Sequence, residues 1–412
     1  MNKKLNTEPY KGTRDFYPAD MAIERYIFDT WATTAELFGF ERYDASILEP
    51  SELYKSKGAE NEEMVNEQTY TFTDRGDREV TLRPEMTPTV ARMVAGRRRE
   101  LSFPVRWYSI PNLFRYERPQ RGRLREHWQL NCDMFGSNDI SADVEIIALA
   151  YNVLKAFGAN DTDFEIRIND RALLNDIFAR ENLSETQSKA VLSLLDKKEK
   201  IVTFTEDLYT IIGHNIALPT THTESTKLTQ VMNGLSSLSI NNVTFSPSTV
   251  RGFSYYTGTI FEIFDTDPKN NRSLIGGGRY DNLTSLFGGE PIPGIGFGMG
   301  DVTMRDFLET HNLLPKDIHI TAPTLIIIPT DSSLTLEGEK IAQSFRSAGI
   351  RTSVDISNKK IAKKLSSAHD AGTRFTLVIG ENETTSQTFT LKELATKKET
   401  RGSLQELIQT IV

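Results

Sequence analysis

The chain has 412 residues, 38% hydrophobic and 25% charged, a composition that suits two or three globular domains and excludes a disordered chain. Its net charge of −8 excludes attraction of the whole molecule to a phosphate backbone, so any nucleic acid must be held by local patches. A single cysteine, Cys132, excludes intrachain disulfides and multi-cysteine zinc sites and is expected to be a small buried apolar residue. With no signal-like apolar start and no run of about 18 apolar residues, the protein is expected to be cytoplasmic, with no membrane contact.

In chain order, apolar spacing predicts an amphipathic helix over 21–38, stopped by Gly39. Two β-rich runs within 70–81 flank Asp74-Arg-Gly-Asp, a hairpin signal. Residues 105–117 and 127–135 read as two further strands joined by Arg118-Pro-Gln-Arg-Gly-Arg, which makes this an antiparallel region. A helix over 143–157 ends at Gly158, and 164–168 is a strand. Residues 171–240 then turn mostly helical (171–180, 185–195, 227–235) without a cluster of chemistry-bearing side chains, the mark of an insertion. Strands resume over 243–264, followed by Gly276-Gly-Gly-Arg-Tyr-Asp and by glycines at 294, 296, 298 and 300. After one more helix, Pro315 and Pro323 bracket a linker. The tail from 324 alternates strands (325–328, 351–356, 375–379) with helices (332–348, 359–371), the pattern of a small parallel or mixed α/β domain.

Residues two apart on a strand share a face, and polar residues recur at that spacing. Gln129, Asn131 and Asp133 alternate with Leu130, Cys132 and Met134; Arg115 and Glu117 lie two apart on the partner strand; Glu85 and Thr87 follow Arg83-Pro84. Together they offer cations, acids and an amide suited to a zwitterionic substrate and a polyphosphate. Between Arg97 and Arg125 lie nine arginines and no lysine, opposed only by Glu100 and Glu117. Arginine's planar fork suits bidentate phosphate contact, although Arg97, Arg98 and Arg99 also read as a solvated run. His127 is the one histidine inside this region and reads as an ordinary strand residue; the six histidines lack metal-ligand spacing.

The run Arg251-Gly-Phe-Ser-Tyr-Tyr-Thr-Gly joins a fixed cation to two phenol rings. Strict alternation would put Tyr255 and Tyr256 on opposite faces, so a pocket holding Arg251 and Tyr256 needs the backbone to leave a regular strand, which Gly252 permits. The glycines at 294–300 would clear one strand face for a flat base or another backbone. A dinucleotide-binding loop would require a strand-turn-helix setting that the surroundings do not provide.

The 251–258 run resembles the histidine-binding signature of the class II histidyl-tRNA synthetase family. Thr81-Leu-Arg-Pro-Glu-Met-Thr, Phe114-Arg-Tyr-Glu-Arg-Pro-Gln, Gly122-Arg123, Gln129-Leu-Asn-Cys-Asp and Gly277-Gly-Arg-Tyr-Asp look like that family's landmarks in order. The early Lys11-Gly-Thr-Arg-Asp-Phe also agrees, and the α/β tail is similar to its anticodon-binding domain.

The resemblance implies an α+β catalytic domain with an antiparallel sheet over 1–320, carrying the helical insertion, and an anticodon-binding-like domain over 323–412. It implies ATP-dependent ligation of L-histidine to tRNA(His) through a histidyl-adenylate, with Mg2+ on the ATP phosphates, in a homodimer. Glu85, Thr87 and Gln129 would hold the histidine ammonium, Asp133 and Tyr256 the imidazole nitrogens, with Tyr255 beside them. Arg115 and Arg251 would grip the α-phosphate and the attacking carboxylate, Glu117 the adenine amino group and Arg123 the outer phosphates. Gln120 would lie near the acceptor end of the tRNA.

The sequence departs from the family pattern at several places. The glutamate and ATP-binding arginine that usually follow the glycine strand are Val302 and Thr303, with Arg305 the nearest replacement; Ser254 stands for an aspartate and Ser46 for a proline. These departures leave a second class open, a non-charging relative like the regulatory subunit of ATP phosphoribosyltransferase. That relative typically lacks both the α/β tail and the Arg-Gly-x-x-Tyr-Tyr run. Lys359, Lys360, Lys363 and Lys364 give the tail a basic helix, either an RNA contact or a solvated face.

Overall fold

The computed structural model describes residues 5–55, 67–196, 198, 201–214, 216–250, 255–318 and 322–412. Two compact units emerge: one contains most of the chain up to Leu314, and the other Pro315–Val412 together with Phe16–Ile23.

The first unit is built on a nine-stranded sheet. In chain order the strands of this unit are β1 (Glu41–Arg42), β2 (Leu48–Pro50), β3 (Tyr70–Thr73), β4 (Glu79–Leu82), β5 (Val105–Ser109), β6 (Asn112–Phe114), β7 (Glu126–Phe135), β8 (Phe164–Asp170), β9 (Val243–Phe245), β10 (Thr259–Asp265), β11 (Ser273–Arg279) and β12 (Gly294–Gly300). The sheet runs β1-β5-β7-β12-β11-β10-β8-β9 with β6 also on β7, and only its two outermost pairs, β1 with β5 and β8 with β9, are parallel. β2, β4 and β3 form a separate small sheet whose hairpin turn is tied by Asp74, which accepts from the Gly76 amide at 2.8 Å. The predicted 105–117 strand is interrupted at Pro111, which lacks the amide a continuous ladder would need.

Helices α1 (Pro18–Leu37), α2 (Glu52–Lys55), α3 (Thr87–Gly96) and α4 (Ile140–Ala156) follow the apolar periodicity, and Gly39 and Gly158 end α1 and α4 at positive φ. α4 packs on β7, β11 and β12 and buries Ile146, Leu149, Ala150 and Val153. A buried ion pair fixes it further: Arg279 of β11 donates from Nε to Asp143 at 3.2 Å, both side chains being nearly inaccessible. Removing one partner of such a pair costs about 3–5 kcal/mol, so Arg279, inside the Gly-Gly-Arg-Tyr-Asp run, anchors helix to sheet.

The helical region is real but divided. α5 (Arg171–Arg180), α6 (Glu185–Asp196) and α7 (Phe204–Ile212) bury a core of their own around Leu174, Phe178, Val191 and Leu208. α8 (Thr226–Ser237) instead packs on α4, so closely that a methyl on Gly234 would meet Val144 at 2.6 Å. α9 (Asp301–Thr310) closes the unit after the glycine strand.

The second unit is a five-stranded mixed sheet with helices. β13 (Leu325–Pro329) lies between β14 (Thr352–Val354) and β15 (Phe375–Ile379) in parallel, and β16 (Phe389–Glu393) and β17 (Glu399–Gly402) extend it antiparallel. Its core joins Leu325, Ile327, Phe345, Leu377 and Phe389. Among the described residues, no helix is long and apolar enough to cross a membrane.

Candidate active site

Two adjoining cavities open on the central strands. The smaller, about 80 Å³, is walled by Glu85 and Thr87 at the start of α3, Arg115, Gln129 and Asn131 of β7, Gly296, Phe297 and Gly298 of β12, and the rings of Tyr255, Tyr256 and Tyr280. Every described residue expected at the amino-acid site except Asp133 is therefore in this one wall. Residues 255–258 are not a regular strand; Tyr255 turns, and both tyrosine rings face the same pocket with centroids 4.9 Å apart. That resolves the alternation conflict within the described residues. Arg251 and Gly252, like Ser254, lie outside them. The Tyr255 hydroxyl donates to the buried Glu85 carboxylate at 3.0 Å, fixing that acid in the wall.

Asp133 is buried next to this wall and is not among the residues that line the cavity. It is paired in register with Gly296, and a methyl added there would lie 2.6 Å from its Oδ1 and 2.7 Å from the Tyr280 hydroxyl. Tyr280 donates to Oδ1, while Oδ2 is buried with no hydrogen-bond partner among the described residues. Burial pushes the Asp133 carboxyl up to about 7, with the Tyr280 bond opposing it. Tyr280 is thus the group that the sequence reading missed: it lines the pocket and carries the contact to that buried acid. Its place in the Gly-Gly-Arg-Tyr-Asp run was the available signal.

The glycine face is closely approached, as expected: a methyl on Gly296 would meet the Cys132 backbone carbonyl at 2.5 Å. Methyls on Gly294 and Gly298 would meet the Tyr280 ring at 2.5 Å and the Gln129 amide at 2.7 Å. Part of the cleared face is thus taken by the protein's own pocket side chains.

The larger cleft, about 370 Å³, is lined by Arg115, Glu117, Arg123, His127, Gln129, Glu262, Arg272, Gly298 and Thr303, among others. Arg115, Gln129 and Gly298 line both cavities, which therefore share a wall. Arg115 Nε donates to the Pro84 carbonyl at 2.9 Å. Burial pulls its pKa down, and the charges of Glu117 and Glu85 pull it back up. Arg123 and Glu117 meet at 2.5 Å without the alignment of a hydrogen bond. Arg125 supports Glu117 from behind, donating to its carbonyl at 3.1 Å while its guanidinium lies 4.0 Å from the centre of the Tyr116 ring.

The arginine-rich loop is a tight hairpin: the Gln120 and Arg123 amides and carbonyls exchange bonds of 3.0 and 2.9 Å, with Gly122 at positive φ. Gln120 is exposed on it. Arg121 donates twice to Asn270, at 3.1 and 2.8 Å, tying the hairpin to the β10–β11 connection. His127, enclosed by the cleft walls and facing Arg115, Arg14 and Arg123, has its pKa pulled down to about 3, so its imidazole is neutral at physiological pH.

Other expected contributors lie elsewhere. Arg305 pairs with Glu309 one helical turn on, at 3.0 Å, and is not among the residues that line the cleft. Arg97, Arg98 and Arg99 are outside the lining too; Arg98 donates to the Glu290 carbonyl at 2.8 Å. In the tail, Lys364 is buried and donates to the Asp355 carbonyl at 3.2 Å, whereas Lys359, Lys360 and Lys363 are exposed. Cys132 is buried, as expected.

An antiparallel sheet of this order followed by a mixed α/β unit is the architecture of a class II aminoacyl-tRNA synthetase. The fold matches histidyl-tRNA synthetase from Nostoc (TM-score 0.79, 24% identity, 99% of each chain). It also matches apo histidyl-tRNA synthetase from S. aureus (TM-score 0.78, 24% identity, 99% of this chain and 100% of that one). In sequence, residues 12–210 and 204–301 match the family described as Histidyl-tRNA synthetase, and 324–412 match Anticodon binding domain. The histidine–tRNA ligase of Leptospira biflexa is 44% identical over 438 aligned positions, covering 99% of this chain and 98% of the relative. That of Thermoplasma volcanium is 35% identical, covering 98% of both. The chain belongs to the histidyl-tRNA synthetase family.

Proposed function

We propose that the chain ligates L-histidine to tRNA(His) at the expense of ATP, with histidine in the small pocket and the nucleotide in the arginine-lined cleft. The observation that carries this is the shared wall: an amino acid in one cavity and a triphosphate in the other would meet at Arg115. The histidine carboxylate attacks the ATP α-phosphorus, pyrophosphate leaves, and the terminal adenosine hydroxyl of the tRNA then attacks the adenylate carbonyl and releases AMP. No protein nucleophile is needed; catalysis comes from holding the reactants in line and from fixed cations beside the charge that develops.

In this reading Glu85, Thr87 and Gln129 receive the ammonium group, and Tyr256 and Asp133 read the imidazole, the latter through or beside Tyr280. Arg115 and Arg251 hold the carboxylate and α-phosphate. Glu117 reads the adenine amino group, and the flat neutral ring of His127 gives the base a surface to lie on. Arg123 takes the outer phosphates and Gln120 approaches the acceptor end of the tRNA. Mg2+ would arrive on the triphosphate and neutralise its charge. Glu262 and Asp196, the other acids of the cleft lining, are the oxygen donors on hand for it, while among the described residues no cluster of three metal-ligating side chains forms a resident site. The family relationship further supports a cytoplasmic homodimer, which sedimentation would test.

Histidine-dependent exchange between pyrophosphate and ATP is the decisive assay, with other amino acids as controls and Arg251→Ala alongside. Exchange with histidine alone, lost in the variant, is the expected result. Histidine binding without exchange would instead support a regulatory relative. The presence of both family regions, and full-length relatives named as ligases, favours the enzyme.

A further inference from the structure

Thr303 leaves the ligating cleft with one fewer cation than its family pattern, and a different strand supplies one. Arg272 immediately precedes β11 and lines the cleft at the hairpin tip. A methyl on Gly122 would lie 3.2 Å from Arg272 Cγ and 3.3 Å from Thr303 Cγ2, so the side chains of 272 and 303 flank the same point.

The segment bearing Arg272 is firmly held. Asn270, buried, donates to Asp265 at 2.7 Å and to Thr310 at 3.0 Å, and accepts both bonds from Arg121. Arg272 itself makes no hydrogen bond or ion pair with another described residue, although it is only half-exposed. Its surroundings discourage its charge: burial and neighbouring Arg123 pull its pKa down, and the charge of Glu117 opposes them. Glu117 is already engaged by Arg123. Arg272 therefore stands beside Arg123 at the hairpin tip with no acid bonded to it among the described residues, and an anion in the cleft would supply the missing partner.

We propose that Arg272 receives the outer phosphates of the bound nucleotide, together with Arg123, at the corner of the cleft where residue 303 is a threonine. This rests on the nucleotide reading of the cleft and adds to it a residue from β11 rather than from the start of α9. The planar guanidinium, steered by the Asn270 anchor, grips the β- and γ-phosphates and draws charge toward the departing pyrophosphate.

The test compares affinities for ATP and AMP by calorimetry, in the wild type, Arg272→Ala, Arg272→Lys, and Arg272→Ala combined with Thr303→Arg. Loss of one charge-assisted contact should weaken ATP by about ten- to a hundredfold. AMP, lacking the outer phosphates, should change by less than about twofold. Lysine should fall between, and arginine at 303 should recover most of the loss, a rescue that a merely structural role would not allow. Equal weakening of ATP and AMP, or no weakening of ATP, overturns the proposal. Exchange activity in the wild type is scored separately. If exchange fails while the ATP-specific loss persists, the ligase reading falls and the phosphate contact stands; if exchange succeeds and ATP affinity is indifferent to residue 272, the reverse holds.

Discussion

The two cavities are made of similar residue types and handle charge in opposite ways. In the small pocket each acid has a specific phenol: Glu85 is bonded by Tyr255, and Asp133 by Tyr280. In the cleft the charges are looser: Arg272 has no bonded partner among the described residues, and the pairing of Arg123 with Glu117 lacks hydrogen-bond alignment. Discrimination of an uncharged ring requires fixed donors and acceptors whose loss leaves a buried group unpaired. Neutralising a triphosphate requires only positive charge at roughly the right place, which several arrangements can supply. The pocket should therefore be intolerant of exchange and the cleft permissive, and Thr303 beside Arg272 is an instance of that permissiveness.

The largest effect is expected where the cavities join. Arg115→Ala should lower kcat/KM for histidine-dependent exchange by about a hundred- to a thousandfold, with losses in both the histidine and the ATP dependence. Steady-state exchange with each substrate varied in turn checks this; a loss confined to one substrate would break the shared-wall account.

Asp133→Asn comes next and separates the cavities. Histidine affinity should fall by about ten- to a hundredfold while ATP affinity stays put. The same substitution carries a pH signature. With the folded-state pKa at about 7 against an ordinary aspartate value near 4, the folded protein holds a proton that the unfolded chain has lost between those limits. The wild type should lose stability from this group as pH rises from about 4 to 7. The Tm of Asp133→Asn relative to wild type should accordingly be higher at pH 8 than at pH 5, and an unchanged difference would contradict the buried-acid assignment. Tyr255→Phe should do less, raising the histidine KM by about five- to tenfold, since Glu85 keeps its place but loses a neutral donor.

Much of this architecture was legible because it is periodic. The polar alternation of Gln129, Asn131 and Asp133 located the central strand, and Gly39, Gly158, Gly349 and Gly372 marked helix ends at positive φ. What escaped was order in space across the sheet. Tyr280 lies 147 positions from Asp133, and nothing local says that β11 and β7 flank the same glycine strand. Arg272 escaped for the same reason, being adjacent to Gly122 only through the fold. Asp133 was found by the same alternation, but its bond from Tyr280 was not, because alternation gives the face of a residue and not its partners across the sheet. Lys364 was grouped with its neighbours by composition, although helical spacing turns it inward to Asp355.

That last difference supports the mildest prediction, a third way of presenting charge. Lys359, Lys360 and Lys363 are exposed at the start of α10 (Ile361–Asp370) and form no ion pair among the described residues, unlike Arg123 in the cleft. If they touch single-stranded phosphates, replacing all three by glutamine should weaken tRNA binding by about three- to tenfold at moderate salt. It should also reduce the slope of log affinity against log salt by about 2. Exchange without tRNA should be untouched. Lys364→Gln should instead lower the Tm without changing the salt slope, because its ammonium is bonded within the protein. A triple variant with the wild-type slope would make the exposed face a solvated one, and charge in the open would then carry neither of the tasks that the two cavities divide between them.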